Sequence, residues 1–206
     1  MEIIQAKYTH FSNTPDDIDE HLPTLYRYAK ECTRILETGV RGCVSSWSLV
    51  YGLLHNEFPQ GKRYMLLNDI TECNIAEFIQ CTQSLDIQVE SQWINNLDLT
   101  LEENVDMTFI DTWHVYGQLK RELAKFAPIT NKYIIMHDTT VDEIVGETIR
   151  NGWNAKEQSL QTGIPVEEIN CGLGKAIDEF LLENSDWILK EKFTNNNGLT
   201  VLQKIA

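Results

Sequence analysis

Three apolar segments that lie far apart in this sequence each end in an acidic residue. The first ends at Glu37, the second at Asp111, and the third at the dipeptide His137-Asp138. Short apolar runs of this kind are typical of buried strands, and the carboxyl ends of parallel strands line one ligand-binding crevice in an open α/β sheet. We therefore expect these side chains to face one pocket, which would suit a ligand with hydroxyl groups and a positive centre, or a metal ion.

Strand and helix patterns alternate along most of the chain. Apolar residues at helical spacing follow Glu37 over 45–54 and follow Asp111 over 115–126, and a further apolar run ends at Asp69. This alternation predicts an α/β fold with a Rossmann-like, mostly parallel sheet and helices on both faces. Residues 195–198, Asn-Asn-Asn-Gly, separate two β-rich runs near the C-terminus and predict an antiparallel hairpin.

The length of 206 residues fits one domain spanning 1–206. Within it, residues 1–32 form a predicted N-terminal helical segment, in which the polar stretch 1–20 is a loop that leads into a helix starting at Leu22. The segment 146–174 has weak periodicity and several glycines, and so predicts a lid or an insertion over the crevice.

Composition excludes several classes of function. A net charge of −14 argues against sequence-independent binding of nucleic acid, which needs a basic surface. Apolar runs long enough to cross a membrane are absent from the sequence, as is a signal-peptide pattern at its start. The five cysteines are scattered without metal-ligand spacing, which favours a reduced, cytoplasmic protein. We expect three histidines to lie at the surface: His10, His21 and His55.

The loop after the first strand is a candidate ligand site. Gly39 and Gly42 would let the backbone approach a ligand, and Ser45 and Ser46 could donate hydrogen bonds at the following helix start. Structural turns need glycine too, and neither the dinucleotide G-x-G-x-x-G spacing nor a P-loop lysine is present. This argues against NAD, FAD and ATP.

Two residues after neighbouring strands could complete a nucleoside site. Asp69 is placed to accept hydrogen bonds from ribose hydroxyls, unless it serves only as a turn or capping residue. Trp93 could cover an adenine face or could simply pack in the interior.

A second constellation consists of acids and imidazoles. Asp111, His137 and Asp138 could supply three ligands to Mg²⁺ or Mn²⁺, with open positions for substrate oxygens; the alternative is a pair of turn acids and a pocket-wall histidine. His114 lies three residues beyond Asp111 and could act as a general base, or could be a capping or packing residue.

Several motifs occur in the order found in one known family. They are Glu37-Thr38-Gly39-Val40-Arg41 with Val44-Ser45-Ser46, Phe109-Ile110-Asp111 with His114 and Tyr116, Ile134-Ile135-Met136-His137-Asp138-Thr139, and the tail from Ala176 to Thr200. The chain thereby resembles class I S-adenosylmethionine (SAM)-dependent methyltransferases, in the group related to cephalosporin hydroxylase-like and macrolide or sugar O-methyltransferases.

The resemblance implies a seven-stranded sheet and a division of roles among the matching residues. The glycine loop would hold the methionine part of SAM, Asp69 the ribose, and the acids after the fourth and fifth strands Mg²⁺. We therefore assign nine residues to the cofactor: Glu37, Thr38, Gly39, Gly42, Ser45, Ser46, Asp69, Trp93 and Asp111. We assign the metal to Asp111, His137 and Asp138, and catalysis to His114 and Asp111.

Three positions depart from the family pattern. Cys43 stands where a second glycine is frequent, Thr112 stands where glycine is common, and His137-Asp138 replaces the usual pair of acids or acid with asparagine. These departures leave the backbone path of the loop, the width of the pocket and the identity of the metal open.

We interpret the chain as a SAM-dependent O-methyltransferase, assisted by a divalent metal, whose acceptor is a hydroxyl of a small molecule or glycan. The resemblance favours a sugar, as do the polar residues Asn170, Asn195 and Asn196. One alternative is an NAD(P)-dependent oxidoreductase on a similar sheet, and another is a non-catalytic accessory module with a methyltransferase fold. The chain could form a homo-oligomer or be one domain of a larger protein.

Overall fold

A single seven-stranded sheet organises the computed structural model, which describes residues 1–205. The strands are β1 (Arg34–Thr38), β2 (Tyr64–Asp69), β3 (Gln88–Trp93), β4 (Val105–Ile110), β5 (Thr130–His137), β6 (Trp187–Phe193) and β7 (Leu199–Lys204). Their order across the sheet is β3-β2-β1-β4-β5-β7-β6, with the first five parallel and β7 antiparallel to both β5 and β6. The predicted α/β fold and C-terminal hairpin are confirmed.

Nine helices in the described residues surround this sheet: α1 (Glu2–Phe11), α2 (Leu22–Ala29), α3 (Val44–Leu54), α4 (Ala76–Thr82), α5 (Tyr116–Phe126), α6 (Glu147–Arg150), α7 (Ala155–Thr162), α8 (Val166–Ile169) and α9 (Leu173–Glu183). Short 3₁₀ turns occupy Asp19–His21, Asn96–Asp98 and Ala127–Ile129. Successive strand residues point to opposite faces, so Ile35 joins the core under α2 and α3 while Leu36 joins the core under α5 and α9. Both faces are buried, which explains the uniformly apolar strands.

The N-terminal stretch differs from the sequence prediction, because residues 2–11 form helix α1 rather than part of a loop. Ile4 is its one buried residue, and Tyr8 packs against the core from a partly exposed position. Such a narrow contact leaves no clear apolar periodicity in the sequence, and tertiary packing stabilises the helix instead.

Segment 146–174 contains the short helices α6, α7 and α8 and packs against the start of α5. Ile164 and Ile169 form a small buried cluster with Val115. The contact is close: a Cβ at Gly117 would lie 2.4 Å from Cγ2 of Ile164. The packing fixes this segment beside the carboxyl end of β4, and its role as a lid stays a prediction.

Two expectations from composition can be compared with the structure. All five cysteines are free among the described residues. Within residues 1–205, the helices are all too short or too polar to cross a membrane.

Candidate active site

The carboxylate of Glu37 lies beneath the loop that joins β1 to α3. Its side chain is fully buried, and Oε1 accepts a hydrogen bond from Ser45 Oγ. Within the described chain, Glu37 Oε2 and Ser46 Oγ are buried without hydrogen-bond partners. Burial raises the pKa of Glu37 to about 7, although the nearby hydroxyls of Ser45 and Ser46 oppose this shift. Unpaired buried polar atoms cost free energy, so this position favours a ligand that donates hydrogen bonds.

Gly39 brings the loop into direct contact with the end of β4. Its φ of +88° is a left-handed conformation, and a Cβ there would lie 1.8 Å from the main-chain oxygen of Asp111. Glycine is therefore required at this position both by conformation and by space. Gly42 differs, because a Cβ there would meet no atom of the described chain within 4 Å.

Asp69 holds the glycine loop in place at the carboxyl end of β2. Its Oδ2 accepts hydrogen bonds from the main-chain N–H groups of Val40 and Arg41, both at 3.1 Å. Trp93 is its partner in the register of β2 and β3 and is partly exposed. The predicted ribose and adenine residues thus lie side by side next to the loop. Their binding roles stay predictions.

His114 lies in the centre of a group of carboxylates. Its Nε2 is 3.1 Å from Asp111 Oδ1, while Nδ1 is 3.0 Å from Asp138 Oδ2 and 3.3 Å from Asp142 Oδ2. The main chain adds two hydrogen bonds, because the His114 N–H donates to Glu147 Oε1 and the Glu147 N–H donates to the His114 carbonyl. The end of β4, the end of β5 and the start of α6 together fix this ring.

The charges in this group stabilise one another. Burial alone would lower the pKa of His114, but the carboxylates of Asp111, Asp138 and Asp142 outweigh it and hold the pKa well above its ordinary value. Burial alone would raise the pKa of Asp111, but His114 and His137 hold it well below its usual range. The three carboxylates therefore favour the charged form of the His114 imidazole.

His137 approaches the same carboxylates from the end of β5. Its Nδ1 lies 3.5 Å from Asp111 Oδ1 and 3.7 Å from Asp138 Oδ1, and its Nε2 lies 3.2 Å from the Asn196 carbonyl. The structure thus brings together all three predicted metal ligands. It also offers a second set with the imidazole of His114, since one ligand atom each from Asp111, His114 and Asp138 lie within 4.8 Å of one another.

Sequence reasoning missed two residues that support His114. Asp142 is fully buried, and its carboxylate receives two hydrogen bonds from the Arg150 guanidinium, at 2.7 and 2.8 Å. Burial would raise the pKa of Asp142, but Arg150 and His114 lower it. The only sequence signal was the spacing of Asp138 and Asp142, four residues apart at the end of a strand.

The structure contradicts the sequence expectation for His21 and adds a structural role for Thr38. His21 is buried, with 1% of its surface exposed, rather than lying at the surface. Thr38 is also buried, and its hydroxyl donates to the Phe109 carbonyl inside the sheet. Thr38 therefore supports the loop from below, while its predicted contact with the cofactor stays untested.

No family model matches the sequence, and no curated protein matches it either. Among solved structures, an O-methyltransferase from Bacillus cereus in complex with S-adenosylhomocysteine (SAH) is similar with a TM-score of 0.58, 16% identity, and coverage of 98% of this chain and 89% of that one.

Two further structures show the same similarity. The N-methyltransferase NodS from Bradyrhizobium japonicum WM9 has a TM-score of 0.58 at 11% identity, covering 92% of this chain and 97% of its own. The O-methyltransferase TomG from Streptomyces achromogenes, in complex with SAM, has a TM-score of 0.54 at 14% identity, covering 91% and 81%. The chain therefore has the Rossmann-like fold of the class I SAM-dependent methyltransferases.

Proposed function

We propose that this protein is a SAM-dependent O-methyltransferase that methylates a hydroxyl group with the help of a divalent cation. The observation that carries the proposal is the position of His114 between Asp111 and Asp138, beside a glycine loop under which one oxygen of the buried Glu37 carboxylate lacks a partner among residues 1–205. The glycine-loop end of the crevice, at Glu37, thus suits a cationic cofactor, and the reaction end, at His114, suits removal of a proton from the acceptor.

The residues around the glycine loop fit SAM by their chemistry. SAM supplies an electrophilic methyl group on a sulfonium centre, and its amino group is a cationic donor. The free Oε2 of Glu37 and the free Oγ of Ser46 could accept such donors, and an ionised Glu37 would be stabilised by the positive charge. Asp69, already oriented by the loop, would receive the ribose hydroxyls.

The reaction end fits a divalent cation. Carboxylate oxygens are preferred ligands of Mg²⁺ and Mn²⁺, and Asp138 Oδ1 is buried without a hydrogen-bond partner in the described chain. His114 would remove the acceptor proton, for which it must be neutral. The neighbouring carboxylates favour its charged form, so their charge has to be balanced by another cation, and Asp111 and Asp138 would hold it.

The surroundings of the site bear on the acceptor. The resemblance favours a sugar, but the side chains of Asn195 and Asn196 donate to Glu20 and to the Asp16 carbonyl and are already occupied. The segment from Asp142 to Glu147, which contacts His114, lies among exposed apolar side chains: Val141, Ile144, Val145, Ile149 and Trp153. We therefore propose an uncharged acceptor, a sugar or another hydroxyl compound, that carries an apolar part, since the acidic cluster would repel an anion.

Calorimetric titration with SAM and SAH, with and without Mg²⁺ or Mn²⁺ and with NAD as a control, tests the proposal. We expect micromolar binding of SAM or SAH and none of NAD. Binding of NAD alone would support the oxidoreductase alternative instead. A protein that binds none of these compounds would favour the accessory-module alternative.

A further inference from the structure

The turn between β6 and β7 contacts the base of the reaction site. Asn196, Asn197 and Gly198 have φ values of +44°, +68° and +98°, so three successive residues are left-handed. The Asn197 carbonyl accepts from the N–H groups of Thr140 and Val141, both at 2.9 Å, two and three residues after Asp138. An unusual backbone conformation of this kind persists only where surrounding contacts stabilise it.

The contacts that hold this turn come from the N-terminal segment. Asn196 accepts a hydrogen bond from the Glu20 N–H at its side-chain oxygen, and its amide donates to the Asp16 carbonyl at 2.9 Å. The buried His21 places Nε2 at 3.0 Å from the Asn195 carbonyl and 3.1 Å from the Asn196 carbonyl. The segment before α2 therefore fixes the turn through contacts between residues about 175 positions apart.

The Asn196 carbonyl is shared by two imidazoles. His137 Nε2 lies 3.2 Å from this oxygen, and the rings of His21 and His137 are 5.7 Å apart at 71°. A carbonyl oxygen only accepts hydrogen bonds, so Nε2 of a neutral His137 must carry the hydrogen. The lone pair of His137 is then on Nδ1, which faces Asp111 Oδ1 at 3.5 Å.

We propose that the Asn196 carbonyl, held by His21, is a positioning element that presents the Nδ1 lone pair of His137 to a cation bound by Asp111 and Asp138. A lone pair and a carboxylate oxygen this close repel each other unless a proton or a metal cation lies between them. Histidine ligands usually donate their second N–H to a carbonyl or carboxylate, which fixes the ring. The inference rests on the metal assistance in the proposed function and selects His137 rather than His114 as the imidazole ligand.

Two Asn196 variants separate the carbonyl from the side chain. Asn196→Gly removes the amide but accepts a positive φ, so the carbonyl should keep its place. Asn196→Val removes the amide and strongly disfavours a positive φ, so the carbonyl should move. His21→Phe keeps an aromatic ring against His137 while removing the donor that holds the turn.

The first measurement is the tautomer of His137 in the metal-free protein, by ¹⁵N NMR of the rings at a pH where they are neutral, with His137→Gln to assign the signal. We expect the Nε2–H tautomer in the wild type and in Asn196→Gly, and a mixture in Asn196→Val. The second is calorimetric binding of Mn²⁺ without cofactor. We expect Asn196→Val to weaken it about 10–100-fold, His21→Phe to weaken it less, and Asn196→Gly to stay close to the wild type.

An Nδ1–H tautomer in the wild type would overturn the inference even if every variant failed to fold. Equal Mn²⁺ affinity in folded wild type and Asn196→Val would overturn it as well. Failure of the proposed function looks different: the wild type would bind neither SAH nor Mn²⁺, while the tautomer measurement would still report on the positioning of His137.

Discussion

The two ends of the crevice satisfy their charged groups to different degrees. At the glycine loop, Glu37 is buried with one oxygen that finds no partner within the described chain. At the reaction end, both ring nitrogens of His114 lie within 3.3 Å of carboxylate oxygens. The glycine-loop end is therefore the incomplete end, because its buried carboxylate lacks a second donor, whereas the reaction end pairs its imidazole with carboxylates and leaves Asp138 Oδ1 for a cation. Mutations at the glycine-loop end should therefore change the affinity for the cofactor, and mutations at the reaction end should change the rate of methyl transfer.

Gly39→Ala should break both ends at once and have the largest effect. The new Cβ would lie 1.8 Å from the Asp111 oxygen at a φ of +88°, so the loop and the end of β4 must separate. We expect a loss of about 3 kcal/mol or more in the free energy of unfolding, together with loss of SAH binding. Chemical denaturation and calorimetry measure the two effects.

Gly42→Ala is the matched control for this variant. It lies three residues further along the same loop, has no positive φ, and has open space for a Cβ among residues 1–205. Equal damage in the two variants would show that contact with Asp111 is not the reason for Gly39.

His114→Ala should affect the reaction end without disrupting the glycine-loop end. We expect kcat to fall about 10²–10⁴-fold because a general base is lost, while the affinity for SAH changes far less, because the glycine loop is intact and Asp111 alone among the assigned cofactor residues pairs with the His114 ring. Initial-rate measurements with an identified acceptor and SAH calorimetry give the two values. His10→Gln, an exposed histidine on α1, is the control. A matching fall in SAH affinity would contradict the separation.

The two ends also differ in how far sequence could predict them. Glu37, Gly39 and Ser45 are close in sequence, and the strand–loop–helix pattern places them together. The sheet followed from its buried apolar strands in the same way. The neighbours of His114 come from separate elements, so the four-residue spacing of Asp138 and Asp142 does not by itself predict that Asp142 contacts His114 or that Arg150 pairs with Asp142.

Long-range contacts explain the remaining misses. His21 is buried because the β6–β7 turn covers it, and the two regions are some 175 residues apart. Helix α1 forms because Ile4 finds a place in the core. The polar N-terminal sequence does not indicate the burial of His21 or the formation of α1, since both depend on the residues that pack against this segment in the folded protein.

Glu37→Gln tests the glycine-loop end through the pH dependence of stability and of SAH binding. Because the pKa of Glu37 in the fold is about 7, above its ordinary value of 4.5, the neutral acid stabilises the fold at low pH and this contribution is lost as the pH rises through about 7. Wild-type SAH affinity should increase over the same range, because the ionised carboxylate that the ammonium group of SAH favours becomes available. Glu37→Gln should remove both dependences and weaken binding by about tenfold.

Urea denaturation and calorimetry between pH 5 and pH 8.5, as rough limits on either side of that transition, measure both quantities. Glu77→Gln, an exposed acid on α4, is the control for charge removal. A wild-type SAH affinity that does not vary with pH would contradict the role given to Glu37.

Arg41 offers the smallest test, because its pairing with Asp17 at 2.9 Å lies at the surface, with 71% of the arginine side chain exposed. Arg41→Ala should cost less than about 1 kcal/mol in the free energy of unfolding from the lost ion pair, unlike changes to the buried pairs around His114.

Arg41 also has a φ of +41°, which glycine adopts without strain. Arg41→Gly should therefore be more stable than Arg41→Ala by roughly 1 kcal/mol, as measured by urea denaturation. If Arg41→Ala were the more stable of the two, the backbone at position 41 would leave the positive φ once the guanidinium is removed. The contact between Arg41 and Asp17 would then be what holds this part of the glycine loop.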